Sequence, residues 1–297
     1  MPVAMTRDVC DQSAQAAALS SVSRLVAGFS IEATPKQLEC AGRLDAYLPA
    51  GTCVYVPFLP RADPAETVAA CRRLVAQGLR PVPHLAARGM PSRVSLSRHL
   101  ANLADVGADS VLLIAGDRAR PAGPFASTLE VLGSGLLQRY GFHNLGIAGH
   151  PEGHPAVDGD TLAEALRRKA EYALDTGSIM WIVTQFVFSA EPVTRWLDRL
   201  RADGIRLPVR AGLPGPAKAQ TLLRYAAQCG IGGSSRLLAR RPDALMRLLG
   251  RWTPDELLPV LARRATECPN ALDGIHVFPF GGLKQSIDYF NALRQAA

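Results

Sequence analysis

The sequence predicts an α/β protein, a (β/α)8 TIM barrel formed as a single domain. Three observations predict it. Short apolar runs alternate with amphipathic helical stretches from about residue 25 to the end. Eight such runs occur, the number that closes a parallel barrel. Side chains capable of chemistry gather where these runs end, which is where barrel enzymes place their sites.

In order, the runs are LVAGFSIEAT (25–34), TCVYVPF (52–58), RPVPHLA (80–86), DSVLLIAG (109–116), LGIAGH (145–150), MWIVTQFVF (180–188), LPVRAGLP (207–214) and GIHVFPF (274–280). Intervening stretches such as PAETVAACRRLVAQG (64–78) and SLSRHLANLADVGA (95–108) carry helical periodicity, with Leu96, Leu100, Leu103 and Val106 on one face. An extra helical pair, about 235–250 and 254–266, is expected between the seventh and eighth strands. The domain is read as 1–297, with 1–24 as an N-terminal helical extension. No G-x-G-x-x-G follows the first run, which argues against a doubly wound open sheet; GIGGSS (230–235) follows a helix and reads as a turn.

Composition narrows the function classes. The net charge is +7, but the positive residues are almost all Arg, scattered along helices and not interleaved with aromatics. That is a solvated basic surface and not a nucleic-acid footprint. No apolar run reaches the length of a membrane span. The six cysteines form no C-x-x-C pair and have no metal-like spacing, so neither a disulfide framework nor a metal is expected, and a reducing cytoplasm is.

The strand ends carry Glu32, Pro57-Phe58, His84, Asp117, His150 with Glu152 and His154, Gln185, Lys218 shortly after Pro214, and Phe278 with Phe280. Each has an ordinary reading: Asp117 as a turn anchor, Glu32 as half of an ion pair, Gln185 as a buried structural amide, Lys218 as a solvated lysine at a helix start, Phe278 and Phe280 as core. Together they bring acids, imidazoles, an amide and aromatics to one barrel mouth.

In their order and approximate spacing, FSIEATP (29–35), PHL (83–85), GD (116–117), HPEGHP (150–155), RRK (167–169), TQF (184–186) and IHVFPF (275–280) resemble the methylenetetrahydrofolate reductases, over nearly the whole barrel. The resemblance implies hydride reduction of the methylene bridge of 5,10-methylenetetrahydrofolate to a methyl group, or the reverse. It gives Glu32 the role of general acid, which needs a carboxyl with a raised pKa. It places Asp117 where negative charge meets the cation developing at N5. Gln185 then reads the pterin edge with both its donor and its acceptor, and Phe278, Phe280 and Lys218 complete the folate side.

On the cofactor side, the resemblance points to Pro57, His84, His150, His154 and Lys169. Three flavin-contacting positions depart from the family pattern: Pro57 stands where a hydroxyl is usual, Ala115 where an Arg precedes GD, and His150 where a Tyr opens the motif. The seventh-strand aromatic is also missing, with Lys218 the nearest replacement. The expectation is therefore direct transfer from NADH or NADPH, as in the flavin-independent branch. Two other readings stay open: an FAD enzyme using different contacts, and a non-catalytic folate-binding or methyl-transfer barrel. The choice of nicotinamide, the reaction direction and the oligomeric state are not legible.

Overall fold

A computed structural model describes residues 18–59, 63–229, 251–268 and 272–296. A helix, α1, covers 18–26. The barrel strands are β1 (Ser30–Glu32), β2 (Cys53–Val56), β3 (Arg80–Ala86), β4 (Ser110–Ile114), β5 (Asn144–Gly149), β6 (Ile179–Phe186), β7 (Val209–Pro214) and β8 (Gly274–Phe278). All pair in parallel, in chain order, and β8 closes on β1 through Ser30↔His276 and Ile31↔Val277. The (β/α)8 barrel is thus observed.

The strands form because alternate residues satisfy two different environments. Val54 and Val56 of β2, and Val111 and Leu113 of β4, face the helices and join the main core. Their neighbours Cys53, Tyr55, Leu112 and Ile114 face inward, where they meet Val82, Val183 and Trp181 and fill the barrel. The Trp181 Nε1–H donates to the Tyr55 hydroxyl at 2.8 Å, which pairs the polar atoms of these two large interior rings. Gly146 lies in register with Leu112 and Trp181, whose side chains take the space that a Cβ there would need.

Strand 1 is shorter than expected. In the run 25–34, Leu25 and Val26 belong to α1, where with Val22 they form its buried face. Periodicity alone could not separate a helix end from a strand start across Gly28. Thr34 then opens the next helix, α2 (Pro35–Cys40), with a capping box to Gln37. Of the expected 1–24 extension, residues 1–17 lie outside the described residues. So does the first helix of the extra pair, 235–250, while the second appears as Leu258–Glu267.

A local irregularity shapes the mouth. The β6–β7 register shifts between Val183 and Phe186, and the Thr184 hydroxyl takes over as acceptor for the Gly212 N–H at 2.8 Å. A Cβ on Gly212 would stand 2.3 Å from the Thr184 carbonyl oxygen and 2.7 Å from the Phe278 ring. Gly212→Ala should therefore destabilise the protein by about 1–3 kcal/mol through forced backbone movement. Urea unfolding checks this: an unchanged midpoint would contradict the close β6–β7–β8 contact.

Candidate active site

Ser30 and Glu32 share one face of β1, and His276 and Phe278 share one face of β8, because side chains repeat every second residue. Parallel pairing sets Ser30 beside His276, and the Ser30 Oγ lies 3.0 Å from His276 Nδ1 in a buried hydrogen bond. When Ser30 donates to Nδ1, the neutral ring keeps its proton on Nε2, the nitrogen turned toward Glu32. That Nε2 is 3.8 Å from Glu32 Oε1, and His84 Nε2 on β3 is 3.4 Å from the same oxygen. The Tyr55 ring packs edge-on beneath both imidazoles, with centroids at 4.4 Å from His276 and 6.2 Å from His84.

Electrostatics corrects one expectation. Burial raises the Glu32 carboxyl, but the polar contact from His276 and the fields of His84 and His276 outweigh it, and the acid is held below its ordinary range. The His276 contact is electrostatic, since 3.8 Å exceeds hydrogen-bond reach and Nε2 of each imidazole lacks a hydrogen-bond partner. Burial lowers both imidazoles as well, against the pull of Glu32. In the free protein Glu32 is therefore a carboxylate between two poorly basic rings, and not the neutral acid that its apolar neighbours Phe29 and Ile31 suggested.

Asp117 follows β4 on an exposed loop, reached through Gly116 at φ +86°, with the space for a Cβ limited by Ala86 at 3.2 Å. Gln185 sits in the β6 irregularity, and its Oε1 accepts from the Phe186 N–H at 3.1 Å. One lone pair is thus already committed, and the Nε2 donors remain for a ligand.

His150, His154 and Lys169 form a second group. The two imidazoles pack edge to face at 5.1 Å, and His154 Nδ1 accepts from the Ala156 N–H. Burial, helped by His154 and Lys169, pushes His150 down to about 4. Lys169 is buried on the helix Gly159–Thr176, which takes its pKa down to about 8. His84, expected with this group, contacts Glu32 instead. Pro57 follows β2 half-exposed, and Ala115 is exposed, without the cation that the resemblance leads one to expect.

The aromatic wall is larger than Phe278 and Phe280. Phe186 touches both at 5.6 and 4.8 Å, and Tyr225 stacks on Phe280 at 4.2 Å and 19°. Tyr225 lies on the helix Ala219–Gln228, a little later in the chain than the place after the seventh strand where the resemblance leads one to expect an aromatic. Lys218, the expected replacement, is exposed on a short ribbon pairing Ala217–Lys218 with Arg251–Trp252. Cys229, at the end of the same helix, feels the charges of Asp117 and Glu32, which brings that end near the mouth. His276 and Tyr225 are the residues that sequence reading missed. The face shared by His276 and Phe278 was a usable signal for the first; the folding-back of a helix gave none for the second.

Among the described residues no cluster of metal-ligating side chains occurs, and no helix is long and apolar enough to cross a membrane.

The buried histidines fix the pH response. His84, His99, His150 and His276 titrate lower when folded, so the unfolded chain takes up protons first as pH falls below their ordinary 6.5. Stability should be full above that value and fall with pH, for His150 down to about 4. Glu32 adds to the loss below its ordinary 4.5. Thermal melts should show Tm dropping between pH about 7 and 5, with a shallower slope in His150→Asn. A flat profile would contradict neutral burial of these rings.

The family model for methylenetetrahydrofolate reductase matches residues 43–240, more than half of the chain. Methylenetetrahydrofolate reductase 2 of Saccharomyces cerevisiae is 26% identical over 147 residues, 46% of this chain and 23% of that protein. Methylenetetrahydrofolate reductase 1 of Schizosaccharomyces pombe is 34% identical over 70 residues, 23% of this chain and 11% of that protein. The matched segments thus span under a quarter of either yeast protein. Among solved structures, an uncharacterised protein from Clostridium thermocellum, described as binding two copies of 5-methyl-5,6,7,8-tetrahydrofolic acid, superposes with a TM-score of 0.54 at 11% identity, covering 92% of this chain and 96% of that one; this likeness concerns the fold. The chain belongs to the methylenetetrahydrofolate reductase family.

Proposed function

We propose that this barrel moves a hydride between a reduced nicotinamide, NADH or NADPH, and 5,10-methylenetetrahydrofolate, giving 5-methyltetrahydrofolate or running in reverse. The observation that carries the reading is Glu32, a half-buried carboxylate held between His84 and His276 at the barrel mouth, in a chain of this family. A strand end needed only for stability gains nothing from such an acid.

In the forward direction a proton goes to the leaving amine nitrogen as its bond to the methylene carbon breaks, and the methylene remains on N5 as an iminium cation. Hydride from the dihydronicotinamide then adds to that carbon. Glu32 is the donor, and because it is a carboxylate in the free protein it takes this proton from solvent as substrate enters and before the mouth is covered. Substrate covering the exposed edge of Glu32 removes its last water, which raises the carboxyl and makes it a donor. Asp117 places its charge near N5, where the cation develops. Gln185 Nε2 donates to the pterin edge, and Phe278 and Phe280 offer a surface for its rings. Lys218 at the rim suits a carboxylate of the glutamate tail.

Flavin is the cofactor that the family pattern brings to mind, and the donors present do not fit a tightly held one. Pro57 has no hydroxyl, Ala115 no charge, His150 is packed against His154, and His84 is engaged with Glu32. Lys169 and His154 remain as contacts for the phosphates of a nicotinamide that binds and leaves. No step here passes through a flavin.

Purified protein should be colourless and should oxidise NADH or NADPH only when methylenetetrahydrofolate is present. Glu32→Gln should fold and lose about 10²–10⁴-fold in turnover, since Gln cannot donate an acidic proton. Asp117→Asn should lower kcat more than it raises KM. Stoichiometric flavin in the active protein would favour the FAD reading. Folate binding without nicotinamide oxidation would favour a non-catalytic barrel.

A further inference from the structure

We propose that Arg88 is the positioning residue for Asp117, an inference that rests on the reductase reading of the mouth. Asp117 is exposed, and no ion pair to another described residue holds its side chain. Its placement therefore depends on the backbone that carries it. Arg88 lies in the single 3-10 turn, Ala87–Gly89, that follows β3 and His84. Its N–H donates to the Ala115 carbonyl at 2.9 Å, two residues before Asp117. Its Nη2 donates to the Ala119 carbonyl at 2.7 Å, two residues after. Its own carbonyl accepts from the Ala122 N–H at 2.9 Å. The acid is thus bracketed by one residue of the neighbouring loop.

Two of these bonds use main-chain atoms and are open to any side chain. The bond to Ala119 is not. It needs a long side chain ending in a planar fork, and Arg88 is half-buried, with its Nε shielded from water and without a hydrogen-bond partner while Nη2 bonds at the surface. The fork thus ties the far side of the Asp117 loop to the turn after β3, with one of its donors held out of water. The same turn is tightened by Gly89, where a Cβ would meet the Phe58 ring at 2.9 Å. The loops after β2, β3 and β4 consequently lock together under Asp117. A small displacement of a charged group from its productive position lowers turnover steeply.

The test compares wild type, Arg88→Met, Arg88→Lys, Asp117→Asn and the double variant Arg88→Met/Asp117→Asn. Arg88→Met should lower kcat about ten- to a hundred-fold with a smaller change in KM, and Arg88→Lys, which keeps the charge without the fork, should fall between. In the Asp117→Asn background, Arg88→Met should add less than about two-fold, because its effect runs through the missing charge. Amide hydrogen exchange over 115–122 should quicken in both Arg88 variants, a readout independent of activity. The inference is overturned if both Arg88 variants keep wild-type kcat, if the losses multiply in the double variant, or if exchange in that loop is unchanged. Should Arg88→Met fail to fold, the lysine variant alone decides by the same kcat and exchange criteria. A wild-type kcat in Asp117→Asn would instead refute the reductase role of Asp117, whatever Arg88 does.

Discussion

A largely enclosed carboxylate on the closing seam of the barrel is the constraint on which the rest of the structure depends. Burying an ionised acid is costly unless polar partners compensate it. For Glu32 those partners come from β3 on one side and from β8, the last strand, on the other. His276 reaches the acid only when β8 pairs with β1, and Ser30 then fixes its ring. Closing the barrel and assembling the site are the same event. Tyr55 beneath both imidazoles, tied to Trp181, extends this support into the barrel interior.

Around the seam the mouth divides into two halves of different chemistry. Phe186, Tyr225, Phe278 and Phe280 build an aromatic wall over β6 and β8, suited to flat rings. On the β5 side, burial leaves His150 neutral and lowers Lys169 to about 8, so this half offers fewer firm cationic contacts. This asymmetry supports a reading in which the folate half keeps its contacts and the dinucleotide half holds its ligand loosely. A cofactor that must leave after each turnover suits weak contacts; a resident one does not.

The architecture was legible in the sequence because parallel barrel strands are apolar on both faces and alternate with helices of clear periodicity. Strand ends therefore located Glu32, Asp117, Gln185 and the β8 aromatics without any structure. Run 25–34 misled only where a helix end and a strand start shared one apolar stretch. Less legible were quantities set by neighbours across the barrel. The lowered Glu32 carboxyl depends on His84 and His276, residues 52 and 244 positions away in the chain. Tyr225 reaches the site because a helix folds back toward the mouth, and the Gln185 acceptor is taken by a strand irregularity. Neither leaves a mark on local spacing.

The account's central claim is that hydride passes directly between nicotinamide and folate at this mouth. Its most direct test is a single turnover with stereospecifically C4-deuterated NADH or NADPH and methylenetetrahydrofolate, followed by mass analysis of the methyl product. Direct transfer predicts one deuterium in the methyl group, from one face of the nicotinamide only, without dilution by solvent and without added flavin. Methyl product that forms only after FAD is supplied, or that carries solvent hydrogen in place of the label, would contradict it.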